Sequence, residues 1–322
     1  RSYNDINWSE SIDISVIDFN SVIGLKAWFS ADSMINTIDN NVNSWTNIKD
    51  NSIVASQAAV NRRPYLENVC RLNNRPVLTF TGNNYLDLNI PINSTNFSIY
   101  MIRNLRAGDP IVQYVLGSSP NAGFFAETAV ASQGPGVFFP NLGINFFSNE
   151  TVRDTNYYMY VNTQSSIFRN NQRIANSNSI ITNPNIVRIG GRIDAPYNLT
   201  GSIAEFMYFD RILDSTNNEI VNKYFCRKFG PPVNLGPDTI LGNSFCDSVT
   251  ITVPNCYNSY TWSNGKKTQS IKVLPNNSYS VTVRDILGNT STDEISVFPY
   301  KRLGNKTIAV CKGEIITIDL KT

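Results

Sequence analysis

Short runs in which apolar and polar residues alternate, cut every few positions by Asn, Gly or Pro, set the character of this chain. From Ser11 to Phe19, Ile12, Ile14 and Val16 fall on one side, with Asp13 and Ser15 on the other. Side chains of an extended backbone point to opposite faces in turn, so this is the pattern of a half-buried strand. Strand-like runs follow at 24–29, 76–80, 85–88, 97–102, 111–116, 136–139, 144–147, 157–162, 166–169, 186–189 and 202–209. Turn signals separate them: Gly82-Asn83-Asn84, Ala107-Gly108-Asp109-Pro110, Ser119-Pro120-Asn121 and Asn183-Pro184. Arg169-Asn170-Asn171-Gln172 predicts a hairpin, because Asn tolerates the left-handed conformation such turns need. Spacing of this kind suits a β-sandwich. Abundant Asn, Ser, Thr and Ile, with little Leu, Ala or Glu, points to the same all-β class.

The composition then removes whole classes of function. At 322 residues and 41% apolar, the chain can bury one large core or two smaller ones. No run approaches the roughly 18 apolar residues a membrane helix needs. A net charge of +2 with no basic cluster gives no footprint for nucleic acid. His is absent, which excludes Ser-His-Asp and Cys-His nucleophiles and the common zinc sites.

One segment breaks the alternation. Residues 213–229 read as a helix, with Ile220, Val221, Tyr224 and Phe225 at helical spacing. Thr216-Asn217-Asn218-Glu219 fits a capping box, and Gly230-Pro231-Pro232 stops the helix. After it comes a module of short strands, at 248–253, 259–262, 269–274, 278–284 and 294–298, with a hairpin signal at Asn264-Gly265 and a second turn at Asn276-Asn277. About 65 residues in such strands suit an Ig-like sandwich. Leu303-Gly304-Asn305-Lys306-Thr307-Ile308 then echoes Leu235-Gly236-Pro237-Asp238-Thr239-Ile240, and Cys311 corresponds to Cys246. The second copy stops after a strand or two, so the sequence reads as a piece of a longer array. The expected organisation is an N-terminal strand or linker over 1–21, a sandwich ending in the helix over 22–230, an Ig-like domain over 233–298 and a partial repeat over 299–322.

Several blocks resemble known families. Residues 24–33 (Gly24-Leu25-Lys26-Ala27-Trp28-Phe29-Ser30-Ala31-Asp32-Ser33), 42–47, 63–65, 74–86 and 201–213 are similar, in order, to a laminin-G-like, concanavalin A-like jelly roll. Residues 233–298, with Tyr260-Thr261-Trp262-Ser263-Asn264-Gly265 and Tyr279-Ser280-Val281-Thr282-Val283, resemble the PKD/Ig-like repeats of Bacteroidetes surface proteins. The resemblance implies an extracellular, adhesin-like protein with a lectin-like jelly roll that binds glycan or another cell-surface component, Ig-like repeats as its stalk, and type 9 secretion machinery as its export partner. A purely structural module of a surface filament or secretion assembly is the alternative.

Each candidate site has a plainer reading beside it. A retaining glycosidase in this fold needs facing carboxylates about 5 Å apart. Glu205 and Asp210 are an odd number of residues apart and point opposite ways in a regular strand, so a glycoside hydrolase is the outsider and no catalytic residue is expected. Trp28 and Trp45 could be sugar-stacking platforms, but each sits in a block that matches the jelly-roll core pattern, so they read as core residues, as does Trp262. Phe124-Phe125, Phe138-Phe139, Phe146-Phe147 and Tyr157-Tyr158 each put one ring on either face of a strand. The loop carrying Asn83 and Asn84 is the candidate ligand-binding loop. Structural calcium is compatible with such folds, but Asp32, Asp50 and Asp194 are isolated in sequence and name no ligand set. Of the five Cys, 70–226 and 246–256 are the favoured bridges, leaving Cys311 to a partner beyond residue 322. A 70–226 bridge would clamp the helix to the sandwich, worth roughly 4–5 kcal/mol for so long a loop. Ser33, Ser215, Thr239 and Ser248 each follow Asp in a pattern that resembles the O-glycosylation motif of Bacteroidetes.

Overall fold

The computed structural model describes residues 22–105, 112–118, 122–127, 134–149, 155–193, 197–240, 248–254, 256–275 and 277–298. The expected N-terminal strand, the partial repeat over 299–322, Cys246, Cys311 and Asp194 lie outside the described residues. The chain divides into a large unit ending at Gly230 and a small unit starting at Pro231.

The large unit is an antiparallel, two-layered sandwich. Strand pairings run in two series. One series joins Tyr65–Val69, Arg75–Thr81, Thr200–Phe209, Ser98–Leu105, Tyr158–Thr163, Ser166–Arg169 and Gln172–Asn176. Leu25–Ser30 continues the line of Arg75–Thr81 along the second half of Thr200–Phe209. The other series joins Ile35–Ile38, Asn41–Thr46, Val54–Ser56, Leu86–Ile92, Ile186–Ile189, Gln113–Ser118, Ala122–Glu127, Gly136–Phe139 and Ile144–Phe147. Among the described residues the two meet at Asn41 opposite Tyr65.

The alternation read from sequence is what joins the layers. Phe29, Leu78, Phe80, Ile99, Ile203 and Phe206 from one series close on Trp45, Ala55, Leu86, Leu116, Phe124 and Ile189 from the other. Phe29 stacks on Phe206 at 4.8 Å and meets Trp45 edge-on at 5.4 Å, and the Trp45 indole N–H donates to the Ser30 carbonyl at 2.9 Å. Burying each such side chain is worth about 1.5–3 kcal/mol. Phe124, Phe139, Phe146 and Tyr157 are buried while Phe138, Phe147 and Tyr158 are half-buried, as alternation requires. Asn170 and Asn171 take left-handed φ of 45° and 63° and form the expected hairpin between Arg169 and Gln172. Strands such as Ile35–Ile38 escape sequence reading because they are short and largely exposed.

Helix α1 (Ser215–Phe229) covers the outer face of the first layer, so Thr200–Phe209 is buried on both faces along almost its whole length. Its N-cap is Asp214, whose carboxylate accepts from the Asn217 backbone N–H at 2.8 Å. The predicted capping box at Thr216 and Glu219 does not form. Asp214 captures the free N–H first, and Glu219 instead pairs with Lys223 at 2.8 Å. The predicted 70–226 bridge also fails: Cys226 carries a thiol on the buried face of α1, whereas Cys70 is exposed in the Cys70–Leu72 turn and is disulfide-bonded elsewhere. That turn holds the helix by a hydrogen bond instead, from the Asn73 amide to the Lys228 carbonyl at 3.3 Å. Cys256 is also disulfide-bonded.

The small unit has a sheet of Thr239–Ile240, Thr290–Phe298, Asn277–Arg284 and Ser259–Trp262, and a pair of Val249–Thr252 with Ser270–Val273. Ile251, Val253, Trp262, Ile271, Val281, Val283 and Ile295 form its core. The Asn264-Gly265 turn closes as expected, with Gly265 at φ 81°. The strands on either side of it do not pair, however. Ser259–Trp262 joins Asn277–Arg284, and Ser270–Val273 crosses to Val249–Thr252. Trp262 lies at the start of the crossing: it is buried, and its indole N–H donates to the Thr268 carbonyl at 2.8 Å.

Candidate binding face

The loop predicted to bind ligand separates its two asparagines. Asn84 is 7% exposed. Its side-chain oxygen accepts from the Thr81 N–H and hydroxyl, and its amide donates to the Arg63 carbonyl at 2.7 Å. These contacts make it a brace of the loop rather than a ligand contact. Asn83 is exposed at the tip.

Immediately after the loop, Tyr85 starts a row of alternating tyrosines and arginines. Arg188 lies opposite Asp87 on one neighbouring strand and Gly117 on the other. A register shift between Ile186 and Arg188 lets both Ile186 and Ile189 reach the core, leaving Arg188 on the outer face. Asp87 holds the guanidinium in a fork, at 2.6 Å to Nε and 3.1 Å to Nη2. Nη1 donates to the Arg192 carbonyl at 3.1 Å, and the guanidinium carbon sits 3.6 Å from the Tyr85 ring centroid. Arg62, exposed, donates to the Tyr85 hydroxyl at 3.0 Å. Arg192 lies 5.2 Å and 5.0 Å from the ring centroids of Tyr114 and Tyr197. Planar, weakly hydrated guanidinium groups favour such stacking.

Two glycines let the 190–192 loop lie on the sheet and place Arg192. A Cβ on Gly117 would fall 2.3 Å from the Gly191 carbonyl oxygen. Gly190 takes φ 83°, and a Cβ there would strike the Phe80 ring. Among the described residues, Arg62, Arg188 and Arg192 accompany one carboxylate here, Asp87, and Arg188 already pairs with it. Arg62 is exposed and Tyr85, Arg192 and Tyr197 are half-buried, whereas Tyr114 is 3% exposed.

Glu205 and Asp210 are engaged elsewhere. Glu205 and Asp210 face opposite ways, as their spacing predicts: Asp210 pairs at the surface with Lys26 and Arg211. Glu205 is fully buried beneath α1. Its Oε1 accepts from the Trp28 indole at 2.6 Å and the Tyr224 hydroxyl at 2.7 Å. Its Oε2 takes the Ser30 hydroxyl at 2.9 Å and Lys228 Nζ at 2.5 Å. Nζ also lies 2.7 Å from Ser30 Oγ, 3.1 Å from Asp32 Oδ1 and 3.0 Å from Tyr224 OH. Burial opposes ionisation of Asp32, but Lys228, the Ser30 hydroxyl and Arg75 outweigh it and hold the carboxyl below its usual range. Burial first, and then the Glu205 charge, push the Tyr224 hydroxyl far above its ordinary range, so it remains a donor. This cluster was not legible as a site. Its signals were a lone Glu in an apolar strand and a Tyr–Lys pair one helical turn apart.

Trp45 and Trp262 are buried, and Trp28 is half-buried with its N–H on Glu205. Asp50 caps its own turn through Ser52. Among the described residues no group of three or more acids or cysteines could hold a metal ion. Ser215 and Ser248 are exposed and Ser33 is partly so, while the Thr239 side chain lies outside the described residues. No helix among the described residues is long and apolar enough to cross a membrane.

No protein-family model matches the chain, and no curated protein matches it. Among solved structures it is similar to Trypanosoma rangeli sialidase in complex with sialic acid, at 16% identity and TM-score 0.44, over 63% of this chain and 33% of that one. The chain therefore spans about a third of the sialidase. It is similar to domain 4 of AbnA, a GH43 extracellular arabinanase from Geobacillus stearothermophilus in complex with arabinotriose, at 12% identity and TM-score 0.44, over 61% of this chain and 98% of that one. It is also similar to the binding domain of Paraclostridial Mosquitocidal Protein 1, at 10% identity and TM-score 0.46, over 81% and 75%. Likeness this distant transfers no ligand or activity.

Proposed function

We propose that the large unit is a non-catalytic, lectin-like module of an extracellular, adhesin-like protein, and that its ligand is a glycan carrying carboxylate or sulfate groups. The observation that carries this reading is the Arg62–Tyr85–Arg188 stack, continued by Arg192 beside the stacked rings of Tyr114 and Tyr197. A tyrosine face packs against the C–H face of a pyranose, and guanidinium donors fork onto acidic oxygens. Absence of turnover is supported by the acids: Asp87 is held by Arg188, and Glu205 has both oxygens occupied away from solvent. Disulfide-bonded Cys70 and Cys256 fit an oxidising, extracellular setting. The Ig-like small unit fits a stalk, and the resemblance to Bacteroidetes surface proteins favours type 9 export.

An array of uronate- and sulfate-bearing oligosaccharides, with neutral ones beside them, tests the reading. Binding confined to acidic sugars, weakened by salt and by Arg62→Ala, is expected. No binding to any acidic sugar sinks it and leaves the structural-module alternative. Release of new reducing ends from a bound oligosaccharide would overturn the non-catalytic part.

A further inference from the structure

The cluster beneath α1 holds more than an ion pair requires. An ammonium has three protons, yet Lys228 Nζ has four oxygens within hydrogen-bond distance, from Ser30, Asp32, Glu205 and Tyr224. The Lys228 side chain is 7% exposed and that of Glu205 is 0% exposed. Packing holds them at contact, which removes the entropic cost of bringing nucleophile and carbonyl together.

We propose that Lys228 and Glu205 become joined after folding by an amide bond between Nζ and Cδ, a covalent strut from α1 to the strand it covers. Asp32 Oδ1, 3.1 Å from Nζ, takes the first proton from the ammonium. The free amine attacks Glu205 Cδ. Charge develops on Oε1, where the Trp28 N–H and Tyr224 O–H already point, at 2.6 Å and 2.7 Å. Donors fixed on a developing oxyanion are the usual means of stabilising acyl transfer. Ser30 Oγ lies 2.6 Å from Asp32 Oδ1 and 2.9 Å from Glu205 Oε2, so it relays the proton from one to the other. Nitrogen gives up a second proton, Oε2 leaves as water, and one hydrogen stays on the amide. The ammonium and carboxylate thus become one amide and one water, with no oxidant or cofactor. Asp32, with a quarter of its side chain exposed, marks the exit for the water.

Intact-mass measurement of the fully reduced chain, made recombinantly without glycosylation, tests this directly. The expected mass is one water below that of the linear polypeptide, and tryptic digestion yields a branched peptide joining residue 205 to residue 228. Asp32→Ala, at a residue exposed enough to leave the fold intact by circular dichroism, is expected to restore the full mass and unlinked peptides. Wild-type chain at full mass, with Glu205 and Lys228 in separate unmodified peptides, overturns the proposal. A lost water mapped to other residues, or a 205–228 link that survives Asp32→Ala, overturns it or the route given for it.

Discussion

Tyr85 and Arg188 lie face to face, with the guanidinium carbon 3.6 Å above the ring centroid while Asp87 grips its edge. Neither residue explains its position alone. Tyr85 follows a loop braced by Asn84, and Arg188 reaches the outer face through a shift in strand register. The stack is worth about 0.5–2 kcal/mol. A double-mutant cycle of Tyr85→Ala and Arg188→Ala, read by urea denaturation of the large unit, should give a coupling of about 1 kcal/mol. Zero coupling would mean that the two merely lie side by side.

Loss of Lys228 should destabilise the large unit strongly. Replacing it with Met removes the link to Glu205 and leaves that carboxylate buried without its ammonium partner. Removing one partner of a buried pair typically costs about 3–5 kcal/mol. Replacing both, as Lys228→Met with Glu205→Gln, should recover part of the loss in thermal or denaturant unfolding. A single variant as stable as wild type would show that the cluster contributes nothing.

In the small unit, stability should fall as pH rises from about 4 to about 6. Burial raises the Asp285 carboxyl to about 6, only partly offset by hydrogen bonds from Asn289, Leu287 and Gly288. Its folded value lies above its unfolded value near 3.9, so the native state holds the proton more tightly. The contribution is full below about pH 4 and is lost as pH passes 6. Integrated, the loss is of order 1–3 kcal/mol. Subtracting the pH profile of Asp285→Asn from that of wild type isolates it; a flat difference would refute the shift.

Gly117→Ala should loosen the 190–192 loop. The new methyl would sit 2.3 Å from a backbone oxygen, which cannot swing aside as a side chain can. Overpacking of this kind costs about 1–3 kcal/mol. Faster amide exchange at 190–192 with the rest of the sandwich protected is the expected signature.

Asp214→Ala should fray the start of α1. The carboxylate serves both the backbone and the side-chain N–H of Asn217, and caps of this kind are worth about 1 kcal/mol. Thr216→Ala should be nearly silent, which separates the observed cap from the one that the local pattern favours.

The amino-acid sequence by itself determined the all-β class, the inward set of each long strand, helix α1 and the Asn170-Asn171 hairpin. Each depends on residues close in the chain: alternation sorts two faces, Asn adopts left-handed φ, and periodic apolar positions make one helix stripe. Tertiary structure alone decided that Ser270–Val273 crosses to the other sheet, that Cys226 stays a thiol, that Arg188 stacks on Tyr85 and that Lys228 meets Glu205. Those contacts join residues up to about a hundred positions apart. Their energies depend on which surfaces the folded layers bring together and seal from water, and no local pattern encodes that.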